Sequence, residues 1–396
     1  MKKIITILCF AFIANLVNAQ AKWTYVEVND SVNNGFKGVY FTSENNGVIV
    51  GQNGMIKRST DGGKTWTSIN SGQTSDLNNV FFIDANTGWA VGTQGIVIKT
   101  TDGGLTWSNS SGSITSDIIL KDVKFLDQNT GYITGSQVLK TTNGGITWTA
   151  LTTSAYFKQS IDMLNTSNGY ICGNGGLLGN TINGTNFFGQ TSPVGNNIYK
   201  IRFINDSTGV AVGQSNLILH TTNKGVNWTL KSTASTKNLF DVCAVGTSTF
   251  WAAGDQGLIQ KSIDAGNTWT TVTNTIGSVN NEVLDLHFVN ENLGWFVGPS
   301  GVYIYDNRPS TNIETLNNKS IKFSIFPNPS NGIFNITDLE NDSKITITDY
   351  SGKTVFETIY SNNETKINLS HLNKGVYFIK VSTDKHLYQT QKIMIN

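Results

Sequence analysis

Seven times between residues 47 and 298 a short apolar run closes on glycine: GVIVG ends at Gly51, GWAVG at Gly92, GYITG at Gly135, GYICG at Gly173, GVAVG at Gly213, FWAAG at Gly254 and GWFVG at Gly298. Ten residues before each closing glycine stands Phe41, Phe82, Phe125, Met163, Phe203, Ala244 or Phe288, and two residues earlier Val39, Val80, Val123, Ile161, Ile201, Val242 or Leu286. That alternation has the period of a strand. A spacing near 40 residues whose register never slips marks one supersecondary unit, repeated because no single copy can bury its apolar face alone.

Within a unit, as in residues 78 to 112, the text reads strand, turn, strand, strand, acidic loop and a fourth strand opening on LTW. Four short antiparallel strands per unit are what a propeller blade requires. The predicted fold is all-β, a seven-bladed β-propeller over residues 20–307. The ends agree with the count: the seventh unit stops after its third strand at GVYIYDNRPS, while AKWTYVEV near the N-terminus reads as a fourth strand with nothing before it. Residues 22–28 are therefore expected to complete blade seven and close the ring without an open edge.

The acidic loop follows the pattern [ST]-x-[DN]-x-G-x-[TN]-W at 59–66, 100–107, 141–148, 221–228 and 262–269, with a shorter copy, TINGTNF, at 181–187. It resembles the Asp box, or BNR repeat, of sialidases, sortilin-like receptors and several secreted glycosidases. The residue types explain themselves structurally. Asp61, Asp102, Asn143, Asn223 and Asp264 are expected to accept hydrogen bonds from backbone N–H groups two residues on. The glycines allow positive φ, and Trp66, Trp107, Trp148, Trp228 and Trp269 cover the hairpin. A metal site would need several convergent oxygen ligands. Each loop offers one carboxylate or amide, so neither a metal nor another cofactor is expected.

Charge excludes further classes. Only 14% of residues are charged, the net charge is +1 and the chain has three arginines, Arg58, Arg202 and Arg308, which gives no footprint for nucleic acid, anionic membrane or phosphate-rich ligands. Lys2 and Lys3, the apolar run Ile4 to Val17 and VNA before Gln20 read as a signal peptide over residues 1–19. Leu8 is too bulky for lipid attachment at Cys9, and no later run approaches the roughly 18 residues of a membrane span. Cys172 and Cys243 then remain, read as two buried thiols in strands and not as a disulfide scaffold.

Enzyme signatures do not line up. Arg58 runs into an acidic loop and Arg308 lies at the tail of blade seven, so the arginine clamp of sialidases has no counterpart. His220 and His287 are the only propeller histidines and lack a metal-ligand spacing; each reads as a satisfied strand residue. No carboxylate pair at the separation glycosidases use, about 5–10 Å, can be nominated. Residues 81–107 resemble instead the blades of photosystem II assembly and stability factor propellers, a resemblance that covers residues 22–307 and implies protein binding without catalysis.

The inner strand of each blade should line the central channel. Between its two apolar positions lie Tyr40, Phe81, Lys124, Asp162, Arg202, Cys243 and His287; two residues before these lie Gly38, Asn79, Asp122, Ser160, Lys200, Asp241 and Asp285. One expectation is a polar funnel in which Tyr40, Lys124, Asp162, Arg202, Asp241, Asp285 and His287 hold a protein or glycan ligand. The other is a water-filled channel whose opposite charges pair, for instance Asp162 with Arg202. A polysaccharide-acting hydrolase or lyase at the channel face is the rival function. The interblade loop around Tyr156 and Phe157 offers a separate partner surface.

Beyond a linker at 308–321 the composition changes, and residues 322–396 read as alternating strands of a small antiparallel β-sandwich. Phe326-Pro327-Asn328-Pro329, then Asp349 and Gly352, Leu372, Gly375 and Tyr377, and finally Lys392 to Ile395 resemble the type A C-terminal sorting domain of the type IX secretion system. The resemblance implies that the secretion machinery is a partner and that the chain passes through the periplasm to the medium or the outer-membrane surface. Pro327 and Pro329 are expected to stiffen an extended entry segment.

Overall fold

The computed structural model of the chain describes residues 22–28, 35–153, 155–231, 235–272, 282–299, 301–308, 323–339, 342–360, 365–382 and 390–396. The signal-peptide stretch 1–19 and all of the linker except Arg308 lie outside the described residues. The chain divides into two compact units, residues 1–309 and 310–396.

Among its described residues the first unit holds seven four-stranded antiparallel sheets. Blade 1 runs through Phe36–Phe41, Gly47–Gly51, Ile56–Ser59 and Thr67–Ile69, in that order from inner to outer strand. The inner strands of blades 2 to 7 are Leu77–Phe82, Leu120–Phe125, Lys158–Met163, Ile198–Phe203, Leu239–Val245 and Asp285–Asn290. Blade 7 takes its outer strand from the other end of the chain: Lys22–Val26 pairs antiparallel with Gly301–Asp306, Trp23 opposite Tyr305 and Tyr25 opposite Tyr303. The ring is closed by main-chain hydrogen bonds between its two ends, which leaves no open seam.

Apolar residues of neighbouring blades meet in the spaces between sheets. Phe41 and Ile49 of blade 1 share a cluster with Trp295 and Val297 of blade 7, and the same arrangement recurs around the ring. The glycine that closes each motif is required by a close approach: a Cβ on Gly92 would collide with the Asp76 carbonyl, and one on Gly213 with that of Asn197. In blades 1 to 6 the inner strand also carries a bulge at its start, between Leu77 and Asn79 in blade 2. The extra residue shifts the side-chain alternation locally.

The second unit is a sandwich. Ser324–Phe326, Ile333–Thr337 and Thr365–Asn368 form one sheet; Thr354–Tyr360, Ser343–Thr348, Gly375–Ser382 and Gln391–Ile395 form the other, in that order. Phe334, Ile336 and Ile367 from the first meet Ile345, Ile379 and Ile393 from the second in one core. Pro327 to Pro329 do not run extended as expected: the chain bends there. Asn328 uses the bend to bond the last strand, accepting from the Met394 N–H at 2.9 Å and donating to the Lys392 carbonyl at 2.8 Å. Gly352, at φ 83°, lies in the turn that Asp349 organises, and Gly375 begins the strand opposite Ile395.

Candidate functional site

The acidic loops lie between the third and outer strands and bind themselves. In blade 1, Asp61 Oδ1 accepts from the Lys64 and Thr65 N–H groups at 3.0 Å each, its Oδ2 accepts from the Thr65 hydroxyl at 2.6 Å, and Ser59 Oγ accepts from the Gly63 N–H at 2.8 Å. The donors stand three and four residues on, not two as expected from Asx-turn geometry. Asn143 and Asn223 keep the same backbone contact through Oδ1, to Thr147 and Asn227 at 3.0 Å. The Thr106 hydroxyl and N–H hold Asp102 down at about 2. Asp264 reaches about 2 because its bonds from Thr268 outweigh the burial that would raise it.

The loops also join neighbouring blades, which the motif alone did not disclose. Trp295 Nε1 of blade 7 donates to the Gly62 carbonyl of blade 1 at 2.9 Å, and its ring stacks on Phe41 at 3.5 Å. Trp89 donates to the Gly144 carbonyl at 3.2 Å, Tyr132 to Gly184 and Tyr170 to Lys224 at 3.0 Å each. Blade 1 has Val48 at this position and uses Arg58 instead, whose Nε donates to the Gly103 carbonyl at 2.9 Å. The loops of blades 1, 3, 4 and 5 and the aromatic of the preceding blade's second strand thus form one device, with Arg58 in the aromatic's place at blade 2. Blade 7 lacks the loop, and Trp251 Nε1 of blade 6 is buried with no hydrogen-bond partner among the described residues. His220 lies buried in the strand Leu217–Thr221 with Ala265 of the blade 6 loop as its backbone partner, and burial pulls it below its ordinary value.

Along the channel the inner strands place two rings of side chains. The buried ring centres on Lys200, whose Nζ lies 3.5 Å from Asp122, 3.4 Å from Asp241 and 3.8 Å from Asp285. These side chains are only 2% to 10% exposed. Each acid also grips the next blade: Asp285 Oδ2 accepts from the Val39 N–H at 2.8 Å, Asp241 Oδ2 from Leu286 at 2.9 Å and Asp122 Oδ2 from Ile161 at 3.1 Å. Burial would raise Asp122, but Lys200 and then Arg202 hold it at about 2. The Lys200 ammonium keeps its proton against burial because Asp122 and Asp241 stand beside it. Asp285 goes the other way: burial, then the Asp241 carboxylate, push it well above the usual carboxylate range.

The second ring holds Tyr40, Phe81, Lys124, Asp162, Arg202, Cys243 and His287 around a cavity of about 230 Å³. Its walls differ. On blades 7, 1 and 2, Tyr40 lies 4.2 Å from His287 and 5.4 Å, edge-on, from Phe81. Burial pulls His287 down to about 4, so it is neutral, and pushes Tyr40 up to about 12. On blades 3 to 5 the wall is charged: Lys124 reaches Asp162 at 3.5 Å and Phe81 at 5.5 Å. Asp162 is committed to the Phe203 N–H at 2.8 Å. The ion pair expected between Asp162 and Arg202 is replaced by Arg202 with Asp122, two blades away, at 3.4 Å; Arg202 Nη1 also donates to the Ile161 and Ile201 carbonyls. Lys124 and Arg202, with side chains 30% and 22% exposed, are the charges of this ring that solvent reaches.

The sequence-nominated residues therefore separate. Tyr40, Lys124, Arg202 and His287 line the cavity with part of their surface free, while Asp162, Asp241 and Asp285 are bound into the frame. Sequence reasoning missed Asp122 and Lys200 as the centre of the buried ring. It also missed Lys37, Asn78, Lys121, Gln159, Tyr199 and Phe240, half-buried residues at the bulge of the inner strands. Aligning the blades one column earlier would have shown them. Among the described residues no group of three or more His, Cys, Asp or Glu is arranged to hold a metal ion, and no helix is long and apolar enough to cross a membrane.

Comparison with known proteins adds to this geometry. The family described as photosynthesis system II assembly factor YCF48 matches residues 16–113, 69–156 and 188–275, together more than half the chain; the secretion system C-terminal sorting domain matches residues 324–396. No protein of curated function matches in sequence. A solved YCF48 bound to D1 peptide is 20% identical with a TM-score of 0.60, covering 72% of this chain and 96% of that one. YCF48 from Cyanidioschyzon merolae is 19% identical with a TM-score of 0.59, covering 72% and 98%. PorZ, an essential surface component of the type-IX secretion system of Porphyromonas gingivalis, is 14% identical with a TM-score of 0.54, covering 93% of this chain and 60% of PorZ. At these identities the solved structures speak for the fold.

Proposed function

The chain belongs to the YCF48 family of propellers and ends in a secretion sorting domain that assigns it to export, and from that premise we propose that it is a secreted or cell-surface binding module, delivered by the type IX system, that receives a protein segment at the channel cavity. The observation that carries this is the division of the cavity wall. Aromatic Tyr40 and Phe81 share the cavity with the partly exposed Lys124, whose ammonium lies 5.5 Å from the Phe81 ring, and with Arg202, an arrangement suited to an apolar side chain beside a carboxylate. The cavity, about 230 Å³, has room for an inserted side chain or chain end. The peptide-bound YCF48 structure supports a peptide over a glycan. The photosystem role is not carried over with it.

The rival, a polysaccharide-acting hydrolase or lyase, has one observation in its favour. Asp241 and Asp285 are neighbouring carboxylates, and burial and then the Asp241 charge push Asp285 well above the usual carboxylate range, the kind of shift that an acid catalyst needs. Both are buried, tied to Lys200 and spent on backbone N–H groups. Peptide and glycan panels incubated with the full chain, read for retention and for product, separate the two. Peptide retention without turnover is expected; release of sugar products lost on Asp285→Asn would replace this reading with the enzymatic one.

A further inference from the structure

The four-stranded sheet of the C-terminal unit treats its two edges differently. Along Gln391–Ile395 the edge is closed by the motif segment: Asn328 bonds Lys392 and Met394, the Ser330 N–H donates to the Met394 carbonyl at 3.0 Å, and the Asn396 N–H donates to the Ser330 carbonyl at 2.9 Å. The carboxamide and Ser330 stand in for a neighbouring strand. The opposite edge, Thr354–Tyr360, pairs with Ser343–Thr348 and with no other described strand. It is seven residues long and free of proline; Ile359 is 65% exposed, and its one charge, Glu357, meets Lys344 at 2.8 Å. An edge this long and this weakly charged is a template for a further strand, which proteins otherwise blunt.

We propose that Thr354–Tyr360 is the surface by which the sorting domain is recognised, through addition of an extended strand from a protein of the export machinery. Main-chain hydrogen bonds supply the affinity, and alternate side chains the selection. The added strand sets an apolar residue against Ile359 and a basic one near Glu357. Charge favours that occupant over a second copy of the chain, because two copies pairing antiparallel about the middle of the strand bring Glu357 against Glu357, and like charges directly opposed destabilise a strand pair.

This rests on the export reading above, which is tested separately. In a host carrying the secretion system, the full chain should reach the surface or medium and a chain ending at Arg308 should not; failure of the full chain to leave would remove that reading and this one together. With delivery established, Glu357→Lys combined with Ile359→Lys, which makes the edge as basic as its proposed partner, should reduce delivery about tenfold or more while the sandwich still melts as in wild type. If the double variant melts early, Ile359→Thr, which keeps a β-branched residue on the strand, is read instead, with a smaller loss expected. Delivery at the wild-type level from a folded edge variant overturns the proposal. So does Ile359→Cys cross-linking the chain to itself, which would give the edge to a second copy.

Discussion

The acidic loops and the channel strands hang on the same sevenfold frame, yet the loops recur almost residue for residue while the channel columns vary, the one from Tyr40 to His287 in every blade. Uniformity marks what most seams need alike: a turn that binds itself and offers a carbonyl to the preceding blade. Variation at the channel has two sources. Part of it serves the frame, since Asp122, Asp241 and Asp285 grip successive blades with Lys200 as their common counter-ion. Only the remainder, with Tyr40, Lys124, Arg202 and His287, presents free surface to a cavity. Variable and charged does not mean functional until burial and partners are known.

The contrast between buried and cavity-facing cations breaks first if Lys200 is expendable. Lys200→Met leaves buried Asp241 and Asp285 without their cation and Asp122 with Arg202 alone, and is expected to cost about 3–5 kcal/mol, against less than about 1 kcal/mol for Lys124→Met, whose ion pair is part-exposed. Denaturant unfolding of the two variants measures both; equal costs would merge the rings. A smaller effect concerns the seams. Trp295→Phe and Trp251→Phe lose similar packing, but only Trp295 loses a hydrogen bond, so it should cost about 1 kcal/mol more. No difference would mean that the loop carbonyl contributes nothing.

Stability against pH separates the regions by sign. Asp61, Asp102 and Asp264 are lower in the folded chain than in the unfolded one, so their contribution is complete above the ordinary carboxylate value near 4 and is lost as pH falls through their folded values, about 2 for Asp102 and Asp264. Asp285 is raised, so its contribution is complete below that value and fades as pH climbs toward its folded value. Asp285→Asn should flatten the decline on the high-pH side and leave the acid limb unchanged; a variant that moves only the acid limb would contradict the assignment. The smallest effect is expected of Asp102→Asn, under about 1 kcal/mol by thermal melting, since Asn143 and Asn223 already serve in equivalent loops.

Much of the fold was legible because it is periodic. The register of Val80 and Phe82 and their counterparts fixed seven blades, and the missing fourth strand after Asp306 pointed to residues 22–28, of which Lys22–Val26 form the strand. The candidate site was legible only as a column. Alternation placed Lys124 and Arg202 in the channel, but a bulge at the start of the inner strand brings Lys121 and its counterparts to the surface as well, and two-residue periodicity cannot show a bulge. Partner choice was hidden for a different reason. Arg202 reaches across blade 4 to Asp122, a distance set by the ring's diameter and the length of an arginine, neither of which sequence spacing encodes. Trp251 was equally invisible, since its lack of an acceptor follows from a loop that blade 7 does not have.

The most direct measurement is the affinity of a peptide retained by the full chain for wild type and for Tyr40→Ala combined with Lys124→Ala, two residues that face the cavity and hold the frame only through the part-exposed Lys124–Asp162 pair. A rise in Kd of about tenfold or more, with the melting temperature little changed, is the expected result. An unchanged Kd in the folded variant would place the ligand elsewhere and leave the cavity as the empty centre of a frame.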